Sequence, residues 1–137
     1  MRNVFLKAEN QRDFENKGYS TMPMLSSQEV NLVLSELQLM KPDDNFNSES
    51  SSELPSYHLT DFDSNIEYKI KAKQLISSIL EPHLKNIFDN YKIITTNFII
   101  KPPGKGKFIV HQDWTFVLDT KNYTSVTLWC PLVDTNE

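Results

Sequence analysis

The chain has 137 residues, of which 39% are hydrophobic and 11% aromatic, and a formal net charge of -4 at pH 7. This length and composition predict a single globular domain with a hydrophobic core, and they leave too few residues for two domains of ordinary size. The acidic balance argues against a nucleic-acid-binding domain, which would normally carry a basic face. A mean hydropathy of -0.45 argues against a membrane span.

The N-terminus and the cysteine content indicate the cellular compartment. The first segment, MRNVFLKAENQRDF, has charged and amide residues where a secretory signal needs an unbroken apolar stretch. Cys130 is the only cysteine, so the chain forms no intramolecular disulfide, which is usual in a reducing compartment. We therefore predict a soluble, cytoplasmic protein.

Two helices are predicted in the N-terminal part of the chain. The first covers residues 26–40 and opens with Ser26 and Glu29 at the spacing of a capping box. The second covers residues 65–80, and Pro82 is expected to break it or to begin a short further helix. The apolar stripe of the second helix is formed by Ile70, Leu75, Ile76, Ile79 and Leu80.

A polar segment, PDDNFNSESSSELPS, separates the two helices over residues 42–56. It is rich in serine and bounded by prolines, and it has no periodic apolar face that could be buried. We predict a flexible surface loop within the domain. A lid over a binding site is the functional alternative to a plain loop.

The pattern changes to strands after Tyr91. Stretches rich in β-branched and aromatic residues cover residues 92–100, 108–118 and 123–132, and they are separated by the loop KPPGKGK and the turn DTKN. Because the helices precede the strands, the sequence predicts an α+β domain whose antiparallel sheet carries helices on one face.

His111 and Asp113 are the candidate metal ligands. Side chains two positions apart on a strand lie on one face of the sheet, so this histidine and this carboxylate point to one site. Together they supply two of the three ligands of the two-histidine, one-carboxylate arrangement that holds ferrous iron. The alternative is an ordinary histidine–carboxylate pair on the surface.

Four segments, GYSTMPMLSSQEV, NFIIKPPGKGKF, HQDWTFV and SVTLWCPLVDTNE, together resemble the phytanoyl-CoA dioxygenase family of iron(II)- and 2-oxoglutarate-dependent oxygenases. The resemblance implies N-terminal helices packed on a double-stranded β-helix, a jelly-roll or cupin-like barrel. It also implies Fe(II) and 2-oxoglutarate as cofactors, with His111 and Asp113 as iron ligands. The resemblance implies that three further residues lie near the 2-oxoglutarate, namely Gln112, Trp129 and Asn97.

The resemblance further implies the reaction. Halogenating relatives replace the metal carboxylate with a small residue, so the presence of Asp113 implies hydroxylation of an aliphatic carbon. The substrate is a small molecule or an acyl compound that the sequence does not identify. Relatives carry a second iron-binding histidine and an arginine for 2-oxoglutarate beyond the residues present here. We therefore expect residues 1–137 to be a single, incomplete oxygenase domain, interrupted part-way through the barrel and inactive in isolation.

Each candidate residue also has a structural alternative. Trp129 is by default a core aromatic, Gln112 can cap a loop, and Asn97 can bond the backbone. His58 and His83 are expected to have surface roles.

A second function class stays open, in which the chain is a non-catalytic interaction module. The exposed edge of an incomplete sheet would present unpaired strand groups to a neighbour, and a homodimer is the simplest result.

Overall fold

The computed structural model describes residues 3–40, 58–101, 111, 113 and 116–135. Over these residues the chain forms three α-helices, α1 (Ala8–Lys17), α2 (Ser27–Leu39) and α3 (Ile66–Leu84). A 3₁₀ helix (Thr60–Phe62) and two short strands, β1 (His58–Leu59) and β2 (Ile99–Ile100), complete the regular structure of the described part. None of the three α-helices combines the length and the apolar character that crossing a lipid bilayer requires.

Helix α1 is not among the predicted elements, because its sequence AENQRDFENK has few apolar residues from which a helical period could be read. Its buried side chain is Gln11, whose Oε1 accepts hydrogen bonds from the N–H groups of Val4 (2.8 Å) and Phe5 (3.1 Å). The helix ends at Gly18, which adopts a left-handed φ of 81° and donates its N–H to the carbonyl of Phe14. Polar contacts therefore define this helix.

Helix α2 begins as predicted, and its capping box is confirmed. The Ser26 hydroxyl accepts the Glu29 N–H (3.3 Å), and Glu29 Oε2 accepts the Ser26 N–H (2.7 Å). The other carboxylate oxygen, Oε1, lies 2.7 Å from His83 Nε2 on α3. His83, for which a surface role was expected, is instead part-buried between the two helices. The hydrogen bonds from the Ser26 N–H and hydroxyl, and then from His83, lower the pKa of Glu29 to about 2.

Glu29→Gln is expected to lower the stability of the protein at neutral pH. Because the folded-state pKa lies below the ordinary value of 4.5, the stabilisation from ionised Glu29 is complete above pH 4.5 and is lost as the pH falls towards about 2. The difference in unfolding midpoint between wild type and variant should therefore disappear over this acid range.

Urea unfolding at a series of pH values measures the Glu29 effect. Glu36→Gln removes a charge of the same sign from the same helix and serves as the control. An equal effect of both variants at neutral pH would show that net charge, rather than the cap, sets the stability.

Helix α3 is longer than predicted. It begins after Asn65, whose side chain accepts the Tyr68 N–H (3.0 Å), and it continues through Pro82 to Leu84. The helix neither breaks nor begins anew at Pro82, so both alternatives expected there are wrong. Proline removes one backbone donor, but this position lies within the last turn, where the Lys85 N–H still bonds the carbonyl of Glu81.

The core lies between α2, α3 and the segment that leads into β2. Its buried members are Val33, Tyr68, Ala72 and Phe98. The predicted stripe of α3 is correct for Leu75, Ile76 and Ile79, which pack against this cluster, but Ile70 is 52% exposed. The partly buried residues around the cluster are Leu37, Met40, Leu75, Ile76, Ile79, Ile100 and Leu132.

The sheet of the described residues is smaller than expected. Strands β1 and β2 pair antiparallel with His58 opposite Ile100 and Leu59 opposite Ile99. Of the strand predicted over residues 92–100, the last two residues are in a ladder, and no strand is assigned in described residues 116–135. A β-branched sequence forms a strand only where a neighbouring segment exchanges backbone hydrogen bonds with it. The jelly roll therefore stays a prediction, as does the loop over residues 42–56, which lies outside the described residues.

Candidate functional site

The structure brings the two predicted metal ligands together. His111 Nε2 lies 3.2 Å from Asp113 Oδ1, and the two side chains are 50% and 55% exposed. Both side chains are therefore about half exposed.

The separation of the two atoms suits a shared metal ion. With metal–ligand bonds of about 2.1 Å, two neighbouring ligands of an octahedral ion lie roughly 3 Å apart. The same 3.2 Å also suits a direct contact between the imidazole and the carboxylate. Among the described residues, no group of three His, Cys, Asp or Glu side chains is placed to hold a metal. The described part of the chain thus contains two candidate ligands, His111 and Asp113.

Two clefts lie elsewhere in the described part of the chain. A cleft of about 810 Å³ lies between α2 and α3, and a second cleft of about 200 Å³ lies beside the 3₁₀ helix and residues 94–96. Neither cleft is lined by His111 or Asp113. The candidate ligand pair is therefore separate from both clefts.

The three predicted 2-oxoglutarate neighbours have different outcomes. Gln112 lies outside the described residues. Trp129 is 67% exposed, so its alternative as a core aromatic is wrong, and a role beside the cofactor stays a prediction.

Asn97 contacts Asp61 through both ends of its amide. Asn97 Oδ1 accepts the Asp61 N–H (2.9 Å), and Asn97 Nδ2 donates to Asp61 Oδ2 (2.8 Å). Thr95 Oγ1 donates to the same carboxylate oxygen (2.9 Å). A cofactor would have to displace these bonds, so the observed role of Asn97 is to fix the 3₁₀ helix against the segment before β2.

A buried polar cluster was not predicted. His58 is fully buried, which makes its expected surface role wrong, and its Nε2 lies 3.0 Å from the hydroxyl of Tyr68. The Tyr68 hydroxyl also contacts Thr60 Oγ1 (3.3 Å), and Asp63 Oδ2 lies 4.0 Å from His58 Nδ1. Asp63 Oδ1 accepts the N–H of Asn65, which caps α3.

This cluster combines a histidine, a carboxylate and a hydroxyl, but it is closed to substrate. His58, Thr60, Asp63 and Tyr68 are all buried, so we assign the cluster a structural role in joining β1, the 3₁₀ helix and α3. The sequence signals were weak. His58 and Thr60 are two positions apart, the spacing of one face of a strand, and Tyr68 lies four residues before the buried Ala72 on α3.

No protein-family model, curated protein or solved structure matches the chain.

Proposed function

We propose that the chain is part of a cytoplasmic Fe(II)- and 2-oxoglutarate-dependent dioxygenase, in which His111 and Asp113 are two of the iron ligands. The proposal is supported by the 3.2 Å separation of His111 Nε2 and Asp113 Oδ1 and by the resemblance of HQDWTFV to the corresponding motif of the phytanoyl-CoA dioxygenase family. Such a centre, with iron and 2-oxoglutarate bound, supplies the oxidation of an aliphatic C–H bond. A third protein ligand comes from another segment or a second chain.

The candidate residues have distinct parts in this proposal. The imidazole of His111 and the carboxylate of Asp113 would hold the metal. A carboxylate at residue 113 occupies the position that halogenating relatives leave vacant, so hydroxylation is the reaction that fits. Gln112 and Trp129 are proposed to lie beside the 2-oxoglutarate, and the substrate is a small molecule or an acyl compound. Asn97 is a weaker candidate because Asp61 already engages its amide.

The isolated chain is expected to bind Fe(II) weakly through these two ligands. Anaerobic calorimetric titration with Fe(II) should show one site. His111→Ala and Asp113→Ala should each weaken Fe(II) binding by roughly tenfold or more. Substitution of residues that only hydrogen-bond a metal ligand already costs that much affinity, and these variants remove a ligand itself. The wild-type chain should form no succinate from 2-oxoglutarate.

His83→Ala is the matched control for iron binding, because His83 also lies beside a carboxylate, 2.7 Å from Glu29. Its affinity for Fe(II) should equal that of the wild type. Equal losses in the His83 and His111 variants, or no binding by the wild type, would remove the basis for the proposed iron site. Succinate formation above that of His111→Ala would instead show that the isolated chain contains a complete centre.

A second candidate function, a non-catalytic interaction module, is favoured by several large hydrophobic side chains that are exposed within residues 116–133. Large hydrophobic side chains on a protein surface mark sites of association when they occur together. The exposed members are Phe116, Leu118, Tyr123, Leu128, Trp129 and Val133.

A further inference from the structure

Residues 124–132 carry backbone groups without partners in the described structure. Residues 123–131 belong to no helix, strand or turn. The preceding turn is closed by hydrogen bonds from the N–H groups of Asn122 and Tyr123 to the carbonyl of Asp119. Beyond it, no backbone hydrogen bond in the described part of the chain reaches residues 124–132. Apart from Pro131, each of these residues has both an N–H and a C=O group available for pairing.

The side chains of this segment have the approximate two-residue period of a strand that is covered on one face. Thr124, Val126, Cys130 and Leu132 are partly buried, and Leu132 packs against the core cluster. The alternate side chains are exposed, and Ser125 and Leu128 depart from the strict alternation. The exposed members are Tyr123, Thr127, Trp129 and Val133.

We propose that a second copy of this chain pairs with residues 124–132 as an antiparallel strand. An edge with unpaired N–H and C=O groups is a template for another strand, and β-branched side chains such as Val126 and Thr127 favour that conformation. Pairing two copies satisfies both edges at once and joins their exposed apolar faces.

The charges at the two ends of the segment favour a second copy in the antiparallel direction. Residues 122–133 contain no charged side chain, whereas Lys121 precedes them and Asp134 follows them. Antiparallel pairing brings Lys121 of each copy near Asp134 of the other. Parallel pairing would instead place the two Lys121 side chains together and the two Asp134 side chains together. The nearby Asp119 carboxylate is engaged within its own turn, where it accepts from Asn122 Nδ2 (2.8 Å).

This inference rests on the second candidate function and is independent of iron binding. Light scattering across a wide range of protein concentration, with a reducing agent to keep Cys130 from forming a disulfide, should show a mass that rises from 15.9 kDa towards twice that value. A monomer at every concentration would overturn both the interaction module and the proposed pairing.

Hydrogen exchange locates the interface without any substitution. Amides of residues 124–130 and 132 should exchange quickly in dilute protein and gain protection as the dimer forms. Protection that appears only in other segments would overturn the proposed pairing and leave self-association itself intact.

Thr127→Lys tests the same edge by charge. It places two lysines close together near the centre of the paired segments, so self-association should weaken by roughly tenfold or more. Thr21→Lys makes the same substitution at an exposed residue outside the segment and should leave association unchanged. An equal loss in both variants, or none in Thr127→Lys, would show that the interface lies elsewhere.

Discussion

Tyr68→Ala is expected to lower the free energy of unfolding by about 3–5 kcal/mol, the usual cost of removing a large aromatic side chain from a core. Tyr68 is 3% exposed, packs with Val33, Ala72 and Phe98, and bonds His58 through its hydroxyl. A domain of this size has only about 5–15 kcal/mol of total stability. The loss is therefore a large fraction of the total stability of the protein.

Two further variants of α3 separate packing from hydrogen bonding at Tyr68. Tyr68→Phe keeps the ring and loses the hydroxyl, so it should cost about 1–2 kcal/mol. Ile70→Ala truncates a side chain that is half exposed on the same helix and should cost less than about 1 kcal/mol. Equilibrium urea unfolding, followed by circular dichroism, gives all three values. A cost for Tyr68→Ala no larger than that of Ile70→Ala would contradict the assignment of Tyr68 to the core.

Features that depend on neighbouring residues were predictable from the sequence. The capping box requires only Ser26 and the residue three positions later, and the helical period of α3 is read within a few turns. The contact of His111 with Asp113 belongs to the same class, because two side chains two positions apart can meet without the rest of the fold.

Features that depend on distant parts of the chain were not predictable. The burial of His58 follows from its pairing opposite Ile100 and from its contact with Tyr68, neither of which leaves a local pattern. The two-residue length of β2 reflects the hydrogen-bonding partners available, whereas the sequence KIITTNFII shows only a preference for extended backbone. Trp129 belongs to this class as well. A large aromatic side chain is by default expected in the core, whereas Trp129 lies on the surface.

Thr60→Val is expected to cost about 2 kcal/mol, within the range of about 1–3 kcal/mol for leaving a buried polar group unpaired. Thr60 is the first residue of the 3₁₀ helix, directly after β1, and it lies beside Phe98. Its Oγ1 accepts the Phe98 N–H (3.0 Å), while its own N–H donates to the Phe98 carbonyl (3.2 Å). Valine has nearly the same shape and keeps the second bond, but it leaves the buried Phe98 N–H without an acceptor.

The loss at Thr60 should also be coupled to Tyr68, because the two hydroxyl oxygens lie 3.3 Å apart. In a double-mutant cycle of Thr60→Val and Tyr68→Phe, the combined cost should fall short of the sum of the single costs by about 0.5–1 kcal/mol, since the second substitution removes a bond that the first has already broken.

Thr95→Val is the matched control, because the Thr95 hydroxyl bonds the exposed Asp61. It should cost less than about 1 kcal/mol, and its cost should be additive with that of Tyr68→Phe. Additive costs for Thr60 and Tyr68 would show that the two hydroxyls act separately and that the buried polar groups do not form one network.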